Sequence, residues 1–249
     1  MKNYRADLHV HTVLSPCAEI EMLPPLIVIE AEKKGLDLIA ITDHNATANI
    51  EAVQNAAYGK NITVLPGIEL QTKEEVHVIC LFDTLAQVYE FQKFVDMHLP
   101  NIKNKPDFFG EQLIVDENGD FIAKEEQLLI TSTSITFEEA YRKVNEIGGL
   151  FIPAHVNRKA NGLLEILGFI PDSVPLIALE ISRHLSVHQA VEKFNQLKSY
   201  SIIQNGDVHQ LSDFLGTTIF KIKNPSIFEI GLALQNLEGR SFQIDNLYL

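Results

Sequence analysis

Short apolar runs alternate with segments of helical length along most of the chain, and this alternation predicts its elements. Residues 36–41, 62–65, 150–155 and 176–181 each hold a nearly continuous apolar run, typical of strands buried on both faces. Residues 24–35 open with two prolines and close with glycine, as helices tend to do. Strands that alternate with helices predict a parallel sheet with crossover helices.

The same reasoning predicts the remaining elements and one interruption. We expect helices over 45–58, 85–98, 137–147, 163–167, 187–200 and 226–237, and strands over 76–83, 201–206 and 217–222. Asn45 is the expected N-cap of the first of these helices. Between 101 and 136 the alternation stops, and two short apolar runs flank Asp116–Asp120, which predicts a β-hairpin. We interpret 101–136 as an insertion in a single domain that covers residues 1–249.

The first predicted strand carries the most informative side chains. Asp7, His9 and His11 alternate with Leu8 and Val10, so the three polar side chains share one face of the strand. Two imidazoles on one face can be aimed at one metal ion. Asp7 lies further back on that face, where its carboxylate could accept a ring N–H from a ligating histidine.

Residues that can bind metal ions follow most of the other apolar runs as well. The set is His9, His11, His44, Glu69, His77, His155, Asp207 and His209. In a barrel of parallel strands the carboxyl ends meet at one mouth, so residues distant in sequence would converge there. His77 departs from this pattern because it precedes its apolar run. It can join the cluster only if its strand approaches from below or runs in the opposite direction.

This donor set indicates a metal site with more than one ion. Imidazoles and carboxylates are ligands of Zn²⁺, Mn²⁺ and Fe²⁺, and two cysteines are too few for a structural zinc knot. More than four imidazoles with a shared carboxylate imply at least two ions. Any one of these residues taken alone is more often structural, so the inference depends on their joint position after the strands.

Composition and charge narrow the location and the partners. The formal charge is −13, from 20 basic and 33 acidic residues, so we expect no long nucleic acid as a partner. No apolar run approaches the ~18 residues of a membrane span, and the first residues lack a signal-peptide pattern. The two cysteines fit a reducing compartment, which makes a cytoplasmic location the expectation. The oligomeric state stays open.

Five motifs together resemble one known family. DLHVHT at 7–12, ITDH at 41–44, GIE at 67–69, PAH at 153–155 and GDVH at 206–209 are similar to the motifs of the PHP (polymerase and histidinol phosphatase) family, in the family's order. The resemblance covers nearly the whole chain apart from the insertion. It implies an α/β fold, a distorted seven-stranded (β/α) TIM-like barrel, with a site for two or three divalent ions.

The resemblance also implies how the ligands divide among three ions. His9, His11, Glu69 and Asp207 would hold the first ion. Glu69 would bridge to a second ion held by His77 and His155, and His44 and His209 would hold the third. The family usually has His or Asp six residues after the second histidine, where this chain has Cys17. A thiolate can bind zinc, so the third position is altered in metal preference, weak or empty, or Cys17 is a small structural residue.

The residues and the resemblance together predict hydrolysis of a small phosphomonoester by a metal-bound hydroxide. Arg158 and Arg183 lie close after predicted strands and are candidate contacts for the substrate phosphate, although each could form an ordinary ion pair. His184 is a candidate donor of a proton to the leaving alkoxide. Two alternatives stay open: a non-catalytic metal-binding module, and a metal-dependent amidohydrolase.

Overall fold

The computed structural model describes residues 1–245, and it contains eleven strands and eight α-helices in those residues. The strands are β1 (Lys2–Val10), β2 (Leu38–Ile41), β3 (Thr63–Gln71), β4 (His77–Leu81), β5 (Leu113–Val115), β6 (Phe121–Lys124), β7 (Leu150–Pro153), β8 (Ala178–Ile181), β9 (Ser201–Gln204), β10 (Thr218–Ile222) and β11 (Ser241–Ile244). The helices are α1 (Pro24–Lys33), α2 (Ile50–Ala56), α3 (Leu85–Asp96), α4 (Pro106–Phe109), α5 (Phe137–Ile147), α6 (Leu163–Leu167), α7 (Val187–Lys193) and α8 (Ile227–Leu234).

Seven of the strands form a distorted α/β barrel, which confirms the predicted fold class. The main sheet runs in the order β11-β10-β1-β2-β3-β4-β7, and β8 pairs with β9. Backbone hydrogen bonds continue the curvature from β7 to β8 at Val156 and Glu180, and from β9 back to β1 at Val208 and His9. β1, β2 and β3 are parallel, whereas β4 is antiparallel to both of its neighbours. The ring of strands is therefore β1-β2-β3-β4-β7-β8-β9.

The antiparallel direction of β4 resolves the exceptional position of His77. Gln71 at the end of β3 pairs with His77 at the start of β4. The amino end of β4 consequently lies at the same mouth as the carboxyl ends of the parallel strands. The sequence left two routes for His77 into the cluster, and the structure shows that its strand runs the other way.

An apolar cluster fills the space between the strands. It joins residues from strands on opposite sides of the ring, such as Leu8, Leu38 and Ile152, to Ile227 and Ile230 of α8. Side chains from opposite strands can share a cluster only inside the barrel. This packed interior fixes the strand ends, so that polar residues following the strands converge at one mouth.

Several predicted boundaries differ from the structure for local reasons. α2 begins at Ile50 rather than 45. The Asn45 side chain caps no helix. It donates to the carbonyls of Leu129 and Thr131 and accepts from the Gln71 N–H, which ties the insertion to β3. The segment predicted as one helix over 187–200 is α7 followed by a 3₁₀ turn, Asn195–Ser199. Strand β11 was not predicted.

The insertion contains the predicted hairpin, formed by β5 and β6. It is anchored on the loop after β1, where the Leu113 N–H donates to the Val13 carbonyl at 2.9 Å. Asn49 also binds both Leu113 and Val115. Among residues 1–245, no helix combines the length and the apolar character needed to cross a bilayer.

Candidate metal centre

Glu69 is the centre of the site, and five imidazoles surround its carboxylate. The side chain is fully buried. Oε1 lies 3.2 Å from His9 Nε2, 2.8 Å from His77 Nδ1 and 3.0 Å from His155 Nε2. Oε2 lies 2.8 Å from His44 Nδ1 and 3.4 Å from His11 Nε2. The structure therefore brings residues from β1, β3 and β4 and from the loops after β2 and β7 to one carboxylate.

Asp207 and His209 complete this group, which we call the histidine cluster together with Glu69 and its five rings. Asp207 Oδ1 lies 3.4 Å from His9 Nε2 and 3.5 Å from His11 Nε2. The His209 ring stacks on His11 with centroids 4.0 Å apart. Three sets of donor atoms lie within 4.8 Å of one another, as a metal ion requires. They are His9, His11 and Glu69; His44, Glu69 and His77; and His11, His44 and His209.

Several buried polar atoms of the cluster lack a hydrogen bond of normal geometry within residues 1–245. They are His9 Nε2, His11 Nε2, His44 Nδ1, Glu69 Oε2 and His155 Nδ1. Unpaired buried polar atoms are costly and therefore rare in proteins. Lone pairs on imidazole nitrogen and carboxylate oxygen are what a divalent cation binds. The donor set therefore fits a metal centre.

Two neighbours fix the tautomers of the first two histidines. His9 Nδ1 donates to the Glu180 carboxylate at 3.1 Å, which leaves Nε2 as the acceptor facing Glu69. Ser15 Oγ donates to Asp43 at 2.7 Å, so it accepts from His11 Nδ1 at 2.9 Å. In both rings Nε2 is therefore the nitrogen that faces Glu69 and Asp207. Partners of this kind hold metal-binding histidines in register.

Glu180 accepts the histidine N–H, the role that the sequence suggested for Asp7. The Asp7 carboxylate accepts from the backbone N–H groups of Gly206, Leu215 and Gly216 rather than from a histidine ring. Asp7 thus holds the loop that carries Asp207, so its predicted contact was wrong. Glu180 could have been noticed as the one charged residue within the apolar run at 176–181. Ser15 gave no comparable signal.

The electrostatics of the cluster differ from ring to ring. Burial opposes the charge of His9 and His44, but nearby anionic groups, Glu69 among them, outweigh it and raise the pKa of both rings well above the usual value, so a cation would displace their protons. Burial opposes the charge of Glu69, but the imidazoles around it, His9 and His44 among them, outweigh this effect and hold the pKa of Glu69 well below its usual range. Burial lowers the pKa of His77 to about 4 and lowers that of His11 well below its usual value. These two rings are therefore neutral near pH 7, with lone pairs free for a cation.

Cys17 lies at the edge of the cluster as an exposed thiol. Partial burial would raise its pKa, but the charge of His44 and hydrogen bonds with His209 and His44 lower the pKa of Cys17 to about 6. The thiol is outside the three tight donor sets. It nevertheless contacts two rings of the third set.

A cavity of about 410 Å³ opens above the cluster, and we call it the histidine cavity. The predicted substrate contacts Arg158, Arg183 and His184 all line it, on the side of β7 and β8. Both arginines are held by carboxylates in this structure. Arg158 Nη1 donates to Asp207 Oδ2 at 2.5 Å, and Arg183 Nη1 lies 2.7 Å from Asp213 Oδ1. His184 is exposed to solvent.

Comparison with known proteins gives the family and the fold. The PHP domain model matches residues 7–184. The uncharacterised protein YqxK of Bacillus subtilis (strain 168) is 25% identical over 273 residues, covering 96% of this chain and 64% of YqxK. The lesion-specific endonuclease PfuEndoQ of Pyrococcus furiosus superposes with a TM-score of 0.75 at 22% identity, covering 97% of this chain and 58% of that chain.

A second structure bears on the expected partners. Endonuclease Q in complex with a 27-mer duplex substrate, with an abasic lesion at the active site, superposes with a TM-score of 0.70 at 20% identity. It covers 96% of this chain and 58% of that chain. The expectation of no long nucleic acid, drawn from the net charge, was therefore wrong, because a chain of this fold holds a DNA duplex. Net charge is a sum over the whole chain and does not predict the local charge at the mouth of the barrel.

The present chain spans about 60% of the length of these relatives. The histidine cluster, whose donor sets could hold metal ions, lies partly within the matched range. Because the model matches 7–184, which includes β1 to β8, the chain belongs to the PHP domain family.

Proposed function

We propose that this chain hydrolyses phosphodiester bonds in a nucleic acid strand, using two or three divalent ions held by the histidine cluster. The observation that carries the proposal is the meeting of five imidazoles at both oxygens of buried Glu69, while ring nitrogens beside it have no partner. A structural ion pair would need only one cationic side chain beside the carboxylate, not five imidazoles. The arrangement suits ions that share one bridging carboxylate.

The ligand assignment follows the family pattern. It overlaps the three donor sets but differs from them, because the sets place His44 with Glu69 and His77 and contain neither His155 nor Asp207. His9, His11, Glu69 and Asp207 would hold one ion, Glu69, His77 and His155 a second, and His44 and His209 a third. Zn²⁺, Mn²⁺ and Fe²⁺ all suit these donors. When bound, such ions supply Lewis acidity toward the phosphate oxygens and lower the pKa of water toward neutrality.

The chain's own residues would orient the ligand rings, bind the substrate and supply a proton to the leaving group. Glu180 and Ser15 hold His9 and His11 with Nε2 toward the cluster. Arg158 and Arg183, on one wall of the histidine cavity, would contact the non-bridging oxygens of the substrate. His184 is exposed on the same wall and would protonate the leaving alkoxide.

The shared fold with endonuclease Q favours a nucleic acid strand as the substrate. The cavity is open to solvent at Arg158 and His184, so a strand could cross it. Its volume also suits a small ligand, which keeps hydrolysis of a small phosphomonoester as a second candidate. Amide hydrolysis receives less support, because no lysine among residues 1–245 lines this cavity.

Cys17 would bind the ion at the third position as a thiolate, since its thiol contacts both His44 and His209. Thiolate sulfur prefers Zn²⁺ over Mg²⁺ or Mn²⁺. We therefore expect this position to select zinc, whereas the two positions built from imidazole and carboxylate also accept Mn²⁺.

Cleavage of labelled oligonucleotides tests the proposal. Single-stranded and duplex DNA, each with and without an abasic site, are incubated with the chain and Mn²⁺ or Zn²⁺, beside a panel of phosphomonoesters. We expect metal-dependent strand cleavage that EDTA abolishes and that His9→Ala lacks. Release of phosphate from monoesters without strand cleavage would favour the second candidate. Metal binding without hydrolysis of any substrate would leave a non-catalytic module and overturn the proposal.

A further inference from the structure

A second cavity adjoins the histidine cavity, and most of its polar lining is cationic. Its volume is also about 410 Å³. Its charged lining consists of Arg5, Lys33, Lys34 and Arg183, with Asp213 as the single carboxylate. We call it the basic groove. In a chain with 33 acidic and 20 basic residues, four cations at one cavity form a local exception.

The two cavities meet at one ion pair. Arg183 and Asp213 line both of them. The Arg183 side chain is 30% exposed, and its Nη1 is fixed 2.7 Å from Asp213 Oδ1. Asp213 in turn accepts from the Gln210 side chain at 2.8 Å, a short distance along the chain from Asp207 and His209. A ligand that leaves the histidine cavity past Arg183 therefore enters the basic groove.

The cations of the groove differ in how far they are already used. Arg5 donates to the Gly216 carbonyl and to Asp245, so it shapes the wall. Lys33 contacts Glu30 at 3.0 Å, but its side chain is 73% exposed. Lys34 follows at the end of α1 and forms no ion pair with a described residue. Lys33 and Lys34 are thus the cations most accessible to a ligand.

The groove offers charge and a hydroxyl rather than a surface for base stacking. Ser212 is exposed and can donate a hydrogen bond. Phe214, the only aromatic residue in the lining, is buried with 4% of its surface exposed. Cations without an accessible aromatic face recognise the phosphate backbone and not the bases.

We propose that the basic groove binds the phosphates next to the scissile one, and so guides a nucleic acid strand across Arg183 into the histidine cavity. This inference rests on the proposed nucleic acid substrate. It explains how an acidic chain holds a polyanion: the contact is confined to one groove. It also predicts binding that does not depend on base sequence.

The test is the salt dependence of binding, measured by fluorescence anisotropy with a labelled single-stranded oligonucleotide in EDTA. The variant is Lys33→Gln/Lys34→Gln. The matched control is Lys103→Gln/Lys124→Gln, which removes two exposed lysines of the insertion that line neither cavity. Two lost phosphate contacts should reduce the slope of log K against log salt by about 1.4 for a single strand. The control should keep the slope of the unmodified chain.

An unchanged slope in the groove variant, an equal change in the control, or no binding by the unmodified chain would overturn the inference. Kinetics on a small chromogenic phosphodiester, too short to reach the groove, separate the two proposals. The kcat/KM for this small substrate should be the same in Lys33→Gln/Lys34→Gln as in the unmodified chain. A lower kcat/KM in the variant would also contradict the groove assignment. A slope change in a chain that cleaves no nucleic acid would leave the groove standing and refute the proposed function.

Discussion

Two buried carboxylates of this chain, Glu69 and Glu229, differ in what compensates their charge. Glu229 accepts from Arg240 Nε at 3.0 Å and Nη2 at 2.7 Å, and from the Lys223 N–H at 2.9 Å. A permanent cation and a backbone N–H thus compensate the charge of Glu229 within the folded chain. This is a bidentate arginine–carboxylate pair of the kind that fixes geometry.

Within residues 1–245, Glu69 forms no ion pair with an arginine or a lysine, and only imidazoles face it. Imidazoles compensate a carboxylate only when protonated. Burial lowers the pKa of His77 and His11, whereas nearby anionic groups outweigh burial and raise that of His9 and His44, so the compensation depends on protons that a metal ion would replace. Several lone pairs around Glu69 have no partner. The charge of Glu229 is therefore compensated within the folded chain, whereas the histidine cluster needs metal ions to occupy its donor atoms.

Replacing each carboxylate by its amide should produce the largest difference in metal affinity between the two sites. Glu69→Gln should weaken binding of the bridged ions by more than about 100-fold, because a ligand is lost and not only its neighbour. Cleavage should fall with it. Glu229→Gln should leave metal binding unchanged, as measured by isothermal titration calorimetry. Equal metal affinity in Glu69→Gln and the unmodified chain would remove the distinction.

Glu229→Gln should instead reduce folding stability, and the loss should depend on pH. Hydrogen bonds from Arg240 lower the pKa of Glu229 from 4.5 to about 2. A lowered folded-state pKa stabilises the fold above pH 4.5, and the effect is lost as the pH falls toward 2. Urea midpoints of variant and unmodified chain should therefore differ at pH 7 and converge toward pH 3. A difference of the same size at both pH values would contradict this assignment.

Glu180→Gln sharpens the comparison by removing only the partner of a ligand. The glutamine amide can donate to His9 Nδ1 and so favour the tautomer with the proton on Nε2, facing Glu69. Metal affinity should fall by about 10- to 100-fold, as it does when such partners are lost. The circular dichroism spectrum should stay unchanged. Unaltered affinity would mean that Glu180 has only a structural role.

Cys17→Ser is expected to have the smallest effect, limited to one ion. Cobalt titration of the unmodified chain should produce a sulfur-to-cobalt charge-transfer band, and Cys17→Ser should lack it. Zinc affinity at that position should fall by about tenfold or more. Cys80→Ala is the control, because Cys80 is buried in β4 away from the cluster. A band that persists in Cys17→Ser, or that never forms, would exclude the thiolate ligand.

The fold class could be predicted because most of the barrel strands are short apolar runs, and the candidate ligands could be predicted because most metal-capable residues directly follow such runs. The sequence could not assign the direction of β4, since one strand reversed in a barrel leaves no local pattern. Asn45 was misassigned for a related reason. Its amide binds Leu129 and Thr131, which are more than 80 positions away, and no local rule anticipates that contact.

The residues that hydrogen-bond to the candidate ligands could not be predicted from the sequence either. The roles of Asp7 and Glu180 depend on which backbone groups and rings lie nearby once the barrel closes. The net charge misled for a physical reason as well: an excess of acidic residues does not prevent Lys33, Lys34 and Arg183 from meeting at one groove. The assignment of a single domain over 1–249 stays a prediction.

The most direct test of the account is elemental analysis of the purified chain and of Glu69→Gln after equilibration with Zn²⁺ and Mn²⁺ and removal of free ions. We expect two or three divalent ions per unmodified chain and at most one, at the third position, in Glu69→Gln. An unmodified chain that retains no metal would contradict the account.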